Sequence, residues 1–119
     1  MSQNKKKYLF KDNQTGYHRT AVNILAEWVC GQTEQPFYVN EGIIFVPDVV
    51  VYKEGILDSI YEVVYMNAFR GKKLGLIQYW CYVNAKDLSV FEVSADWILS
   101  QKEKPERIET MECYEINLK

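Results

Sequence analysis

Phe45-Val46-Pro47-Asp48-Val49-Val50-Val51-Tyr52 and Ile60-Tyr61-Glu62-Val63-Val64-Tyr65 are two β-rich runs on either side of the turn Lys53-Glu54-Gly55. Val, Ile, Tyr and Phe favour a pleated, half-buried surface, so both runs read as strands of one hairpin. Asp48 and Glu62 lie equally far in sequence from Gly55. Strands paired about that turn set the two carboxylates opposite each other, on the same face of the pleat. Each is surrounded by apolar residues. An ionised carboxylate buried without a partner costs several kcal/mol. Two side by side repel, and one must take up a proton unless a cation sits between them. A hard divalent cation with oxygen ligands, Mg²⁺ or Mn²⁺, fits that demand. The alternative from spacing alone is that Asp48 caps the backbone near Pro47 while Glu62 faces solvent, leaving both carboxylates incidental to function.

Upstream of the hairpin, Tyr8-Leu9-Phe10 is a short apolar run, followed by the loop signal Asp12-Asn13-Gln14-Thr15-Gly16. A helix begins at Gly16 or Tyr17, with Ala21, Leu25, Trp28 and Val29 at helical spacing, and Gly31 is its stop. Phe37, Val39 and Glu41 alternate with Tyr38 and Asn40, the pattern of a strand with a carboxylate on its inner parity. Ile43 to Tyr52 reads as one strand in which Pro47 marks a bulge, an edge position or a strand start. Downstream, Ile60 to Met66 is a strand and Asn67 to Gly71 a loop. Leu74 to Val83 is a largely buried helix, and Leu88 to Val93 another strand. A helix between two strands predicts a crossover that leaves those strands parallel. Asp96 is the expected N-cap of the short segment Trp97-Ile98-Leu99. Alternation from Ile108 to Leu118 predicts a C-terminal edge strand over about 107–118.

The predicted fold is therefore α/β in the α+β sense. The order is α-β-β-β-α-β plus an extra C-terminal strand, with a mixed central sheet flanked by helices. With 119 residues and no internal repeat or linker, it is one domain, 1–119, with its core at about 16–99 and an N-terminal segment 1–15. Apolar residues make up 48% and charged residues 25%, which excludes a disordered or low-complexity chain. Fourteen lysines and arginines against sixteen acidic residues exclude a protein held to nucleic acid or anionic lipid by bulk positive charge. Cys30, Cys81 and Cys113 are odd in number and widely separated, and only one His accompanies them. They read as buried small hydrophobes rather than a disulfide framework or zinc site. No apolar segment follows the basic start Met1 to Lys7, and Ile43 to Tyr52 is far short of the ~20 residues that span a bilayer. The expectation is a cytoplasmic protein without membrane attachment.

The two runs quoted first, in this element order, resemble the PD-(D/E)xK nuclease superfamily, whose core is restriction-endonuclease-like. The chain is most similar to its CoiA-like branch, with an early helix, a "PD" strand and a Glu-containing strand. The resemblance covers Gly16 to Leu99. It implies that Asp48 and Glu62 bind a divalent metal that activates water against a phosphodiester and stabilises the developing charge. It further implies an added metal-binding acid at Glu41, and a functional His18 in place of the structural role that a lone His near a helix start otherwise suggests. One position departs from the pattern. The motif lysine would stand two residues after Glu62, where this chain has Val64, which has the right parity but no proton or charge to offer. Superfamily members exist in which this lysine has moved to the following helix, and Lys72 and Lys73 stand in the first turn of that helix. Either is a candidate catalytic residue, or the two are a solvated pair. Gln78 and Tyr79 resemble polar residues near the site in some branches, or else are a solvent neighbour and a core ring.

Arg70, Lys72 and Lys73 form the basic cluster that would flank such a site and, with His18, contact nucleic acid, with DNA favoured over RNA. Some of the seventeen aromatic residues could stack on single strands, although most fit core spacing. A small nuclease that cuts both strands of a duplex would act as a homodimer. The resulting expectation is a Mg²⁺- or Mn²⁺-dependent nuclease acting on DNA. The alternative is an inactive nuclease-fold protein that binds nucleic acid or a protein partner.

Overall fold

The computed structural model describes residues 8–10, 16–40, 42–65, 72–101, 103–106 and 113–116. In chain order the elements are β1 (Tyr8–Phe10), α1 (Gly16–Val29), β2 (Phe37–Asn40), β3 (Ile43–Phe45), β4 (Val49–Lys53) and β5 (Ile56–Val64). They continue with α2 (Lys72–Val83), β6 (Ser89–Ser94), α3 (Ala95–Ser100) and β7 (Cys113–Ile116).

The β4–β5 hairpin organises the rest. Its two loop residues, Glu54 and Gly55, have φ of 53° and 78°. Two positive φ values make the primed turn whose twist matches paired strands, and Gly55 adopts its value without a Cβ clash. From that turn the pairing runs through a bulge at Val51/Tyr52 to Val51 with Ser59, Val50 with Ile60 and Val49 with Tyr61. The next step outward brings Asp48 opposite Glu62, an alignment that depends on the one-residue shift at the bulge, since the turn's own register would oppose Asp48 to Tyr61.

β4, β5, β6 and β7 form a mixed four-stranded sheet in that order. β4–β5 and β6–β7 are antiparallel, whereas β5–β6 is parallel, as the intervening α2 demands. β7 lies at the edge of the described sheet, and the rest of the expected strand, 107–112 and 117–118, lies outside the described residues. A three-stranded sheet, β1-β3-β2, packs separately. Thus Ile43 to Tyr52 is not one strand. Val46-Pro47-Asp48 carries the chain from β3 in one sheet to β4 in the other. Pro47 has no N–H for a ladder, and the ladder breaks there.

Strand alternation splits the core. Val49, Val51, Tyr61, Val63 and Val93 face α1 and α3, packing on Ala21, Leu25, Trp28 and Ile98. Val50, Ile60 and Val90 face Ile77 of α2 and Phe37 and Phe45 of the small sheet. Several expectations need correction. The N-cap of α3 is Ser94, whose side chain accepts from the Trp97 N–H, and Asp96 stands in the first turn. Tyr79 is 51% exposed and is not core. Cys30 is exposed and Cys81 half-buried, both with free thiols, so neither is a buried hydrophobe.

The end of α1 is tied directly to β4. Cys30 takes φ of 55°. The Gly31 N–H donates to the Ala26 carbonyl and the Cys30 N–H to that of Glu27, a Schellman closure with Cys in the left-handed position. Gly31 then lies so close to β4 that a Cβ there would meet Val49 Cγ1 at 2.4 Å. Gln32 and Val50 exchange backbone hydrogen bonds of 2.8 Å. This close approach fixes α1 against the strand that follows Asp48. No described helix is long and apolar enough to cross a membrane.

Candidate functional site

At the end of the hairpin away from the turn, side chains replace the backbone ladder. The Asp48 N–H donates to Glu62 Oε2 at 2.8 Å, and the Val63 N–H donates to Asp48 Oδ2 at 2.8 Å. Each carboxylate therefore accepts from a backbone amide at or beside the other's position, a reciprocal clamp that ordinary strand residues cannot make. Asp48 is 2% exposed and Glu62 1%.

Two helices close over this pair from their first turns. Lys73 of α2 is buried and brings Nζ to 2.6 Å from Glu62 Oε1. Its Cβ direction follows from the phase of α2, which also turns Ile77, one helical turn on, into the core. His18 of α1 is buried too. Its Nε2 lies 2.7 Å from the Val63 carbonyl oxygen and 3.5 Å from Asp48 Oδ2. A carbonyl only accepts, so Nε2 carries a proton and donates. The cluster thus places two acids, one ammonium and one imidazole N–H around the Asp48–Val63 corner of the hairpin.

Its charge does not balance without help. Burial pushes the Glu62 carboxyl up to about 8, and the Asp48 charge adds to the rise. The Lys73 ammonium and the Asp48 amide pull in the other direction. Glu62 binds its proton more tightly than an ordinary glutamate, because burial disfavours its charged form and the Asp48 charge beside it adds to that.

Of the expected site residues, the structure brings Asp48, Glu62, Lys73 and His18 together. Lys72 opens α2, but its side chain lies outside the described residues, as do Glu41 and Arg70. Val64 packs half-buried against the α2-side core, and the lysine beside Glu62 comes from α2 instead. Gln78 and Tyr79 are exposed. Among the described residues, no group of three or more His, Cys, Asp and Glu side chains is placed to hold a metal ion.

A small hollow of about 170 Å³ reaches Asp48 from the α1 side, lined by Arg19, Asn23, Thr33, Glu34 and Pro47 among others. Its volume matches a few waters or one small group, less than a whole ligand. A larger and more open hollow, about 1010 Å³, lies by the C-terminal end of α2 and β7 and holds none of the four buried ionisable groups. Sequence reading did not single out Arg19, Asn23 or Thr33. Helical phase alone would have put Arg19 and Asn23 on one side of α1, one residue round from His18.

Comparison with known proteins returns no match. No family model, curated protein or solved structure is detectably similar to the chain.

Proposed function

We propose that the chain is a metal-dependent nuclease of PD-(D/E)xK type, with a restriction-endonuclease-like core, that hydrolyses phosphodiester bonds in DNA. The observation that carries this reading is the buried contact of Lys73 Nζ with Glu62 Oε1 at 2.6 Å. It puts an ammonium beside the acidic pair although position 64 is Val. A folding requirement does not explain such a cluster, since an apolar replacement would be cheaper.

The donors present suit a hard cation. Asp48 and Glu62 offer carboxylate oxygens, a bound cation would take the place of the proton that burial holds on Glu62, and Mg²⁺ is commonly held by one or two carboxylates with water completing its shell. Asp48 and Glu62 would hold Mg²⁺ or Mn²⁺, which when bound supplies an activated water and charge neutralisation at the phosphate. Lys73 keeps a positive charge at Glu62 and orients its carboxylate. His18 holds the Val63 carbonyl and the Asp48 carboxylate in register through its N–H. Arg70, Lys72 and Glu41 complete the proposal as flanking cations and an added acid, and a homodimer would cut both strands of a duplex.

The test is cleavage of plasmid, linear duplex and single-stranded DNA, with RNA for comparison, in Mg²⁺ or Mn²⁺. Cleavage is expected to disappear in Asp48→Asn and Glu62→Gln. Activity that persists in both Asp48→Ala and Glu62→Ala would overturn the reading. A second reading, an inactive nuclease-fold protein that binds nucleic acid or a protein partner, is favoured by Val64 and by the engagement of Glu62 with both Lys73 and the Asp48 amide. Oligonucleotide binding without cleavage in any metal would select it.

A further inference from the structure

Tyr17 and Tyr65 flank the site on the elements that build it. Tyr17 precedes His18 in the first turn of α1, and Tyr65 follows the end of β5, whose Val63 carbonyl His18 holds. The two rings lie 4.9 Å apart between centroids, tilted by 54°. They are 42% and 45% exposed. Neither belongs to the two apolar cores, so packing does not account for the pair. The Tyr17 hydroxyl donates to Asp96 in α3, which holds that ring before any ligand arrives. The pair stands at the C-terminal end of the parallel strands β5 and β6, the side on which open sheets with parallel strands receive ligands.

Charge narrows what such a surface can bind. Sixteen acids against fourteen bases leave no excess of positive charge to hold a polyphosphate chain by counterion release. Stacking of bases on aromatic rings needs no such excess and tolerates any sequence. A duplex keeps its base faces covered, whereas a single strand presents them.

We propose that Tyr17 and Tyr65 form a base-stacking platform and that the DNA taken by this site is single-stranded, or a single-stranded segment of a longer molecule. This deepens the nuclease reading and rests on it for the chemistry that follows binding.

The test is fluorescence anisotropy with a short dye-labelled single strand of mixed sequence and the matching duplex, in EDTA so that nothing is cut, over a series of salt concentrations. The single strand is expected to bind more tightly than the duplex, with a shallow salt dependence. Tyr17→Ala/Tyr65→Ala should weaken single-strand binding by about 5- to 100-fold, with little change for duplex. Tyr17→Phe, which keeps the ring and loses the Asp96 tether, should retain most of it. If the double variant fails to fold, photocrosslinking of a bromodeoxyuridine-substituted single strand to the wild-type chain decides, with adducts expected on Tyr17 or Tyr65. Equal affinity for the two probes, unchanged binding in a folded double variant, or adducts only elsewhere would overturn the proposal. The two readings separate cleanly. Glu62-dependent cutting of duplex with no strand preference removes the platform and leaves the nuclease. Tyrosine-dependent single-strand binding without cleavage in any metal removes the nuclease and leaves the platform.

Discussion

Strand β5 carries two acids paired with lysines, one near each end, and they differ in almost everything except chemistry. Near the turn, Asp58 meets Lys53 at 3.6 Å with side chains 41% and 73% exposed. At the other end, Glu62 meets Lys73 at 2.6 Å with side chains 1% and 7% exposed. The first pair stays in water, where it gains and costs little. The second has lost its water, so its desolvation must be met by geometry and by the Asp48 amide. In the second pair burial pushes the Glu62 carboxyl up to about 8, and the pair sits beside Asp48 and His18. Costly polar burial that a folding argument cannot justify is the physical ground for the proposed site, and only one end of the strand has it.

The contrast should appear most strongly on removing each lysine. Lys73→Met is expected to destabilise the protein by about 3–5 kcal/mol in urea unfolding, because it strands two buried acids. Adding Glu62→Gln to that variant should recover much of the loss. A Lys73→Met cost no larger than a surface substitution would put the two pairs on the same footing.

The next effect is in pH. A carboxyl whose native pKa lies above its unfolded value binds its proton more tightly in the native state, so its contribution to stability falls as pH rises. For Glu62 the fall runs from about 4.5 to about 8 and levels off on either side. Thermal midpoints measured across that window should decline in the wild type relative to Glu62→Gln, which lacks the titration. A parallel course in the two proteins would mean that Glu62 does not titrate in that window. The smallest effect belongs to the exposed pair. Lys53→Gln should change stability by no more than about 0.5 kcal/mol in the same urea unfolding measurement.

Much of the hairpin was legible from its residues. Centring the hairpin on Gly55 put Asp48 opposite Glu62, but the turn is Glu54-Gly55 and its own register, Tyr52 with Leu57, would oppose Asp48 to Tyr61; the bulge at Val51/Tyr52 supplies the one-residue shift that aligns the two acids. The parallel relation of β5 and β6 followed from the helix between them. The division of Ile43 to Tyr52 between two sheets was not legible. Continuous Val, Ile and Phe suit either a long strand or two short ones, and Pro47 alone does not say which sheet each half joins. Tyr79 misled for a related reason. α2 is apolar on nearly every side, so periodicity could not tell its buried face from its exposed one.

By itself the sequence determined what is local. It specified the turn and the crossover, and it set an acidic pair in apolar surroundings that called for a cation. The tertiary structure alone decided which cation lies there. Lys73 is eleven residues along the chain from Glu62, and its ammonium arrives only because Ile77 docks α2 on the core with that phase. The same holds for His18, which reaches the Val63 carbonyl because Gly31 lets α1 lie close against β4. Local pattern is written in neighbouring residues. The meeting of charges from separate helices depends on how those helices pack, and packing is a property of the whole chain.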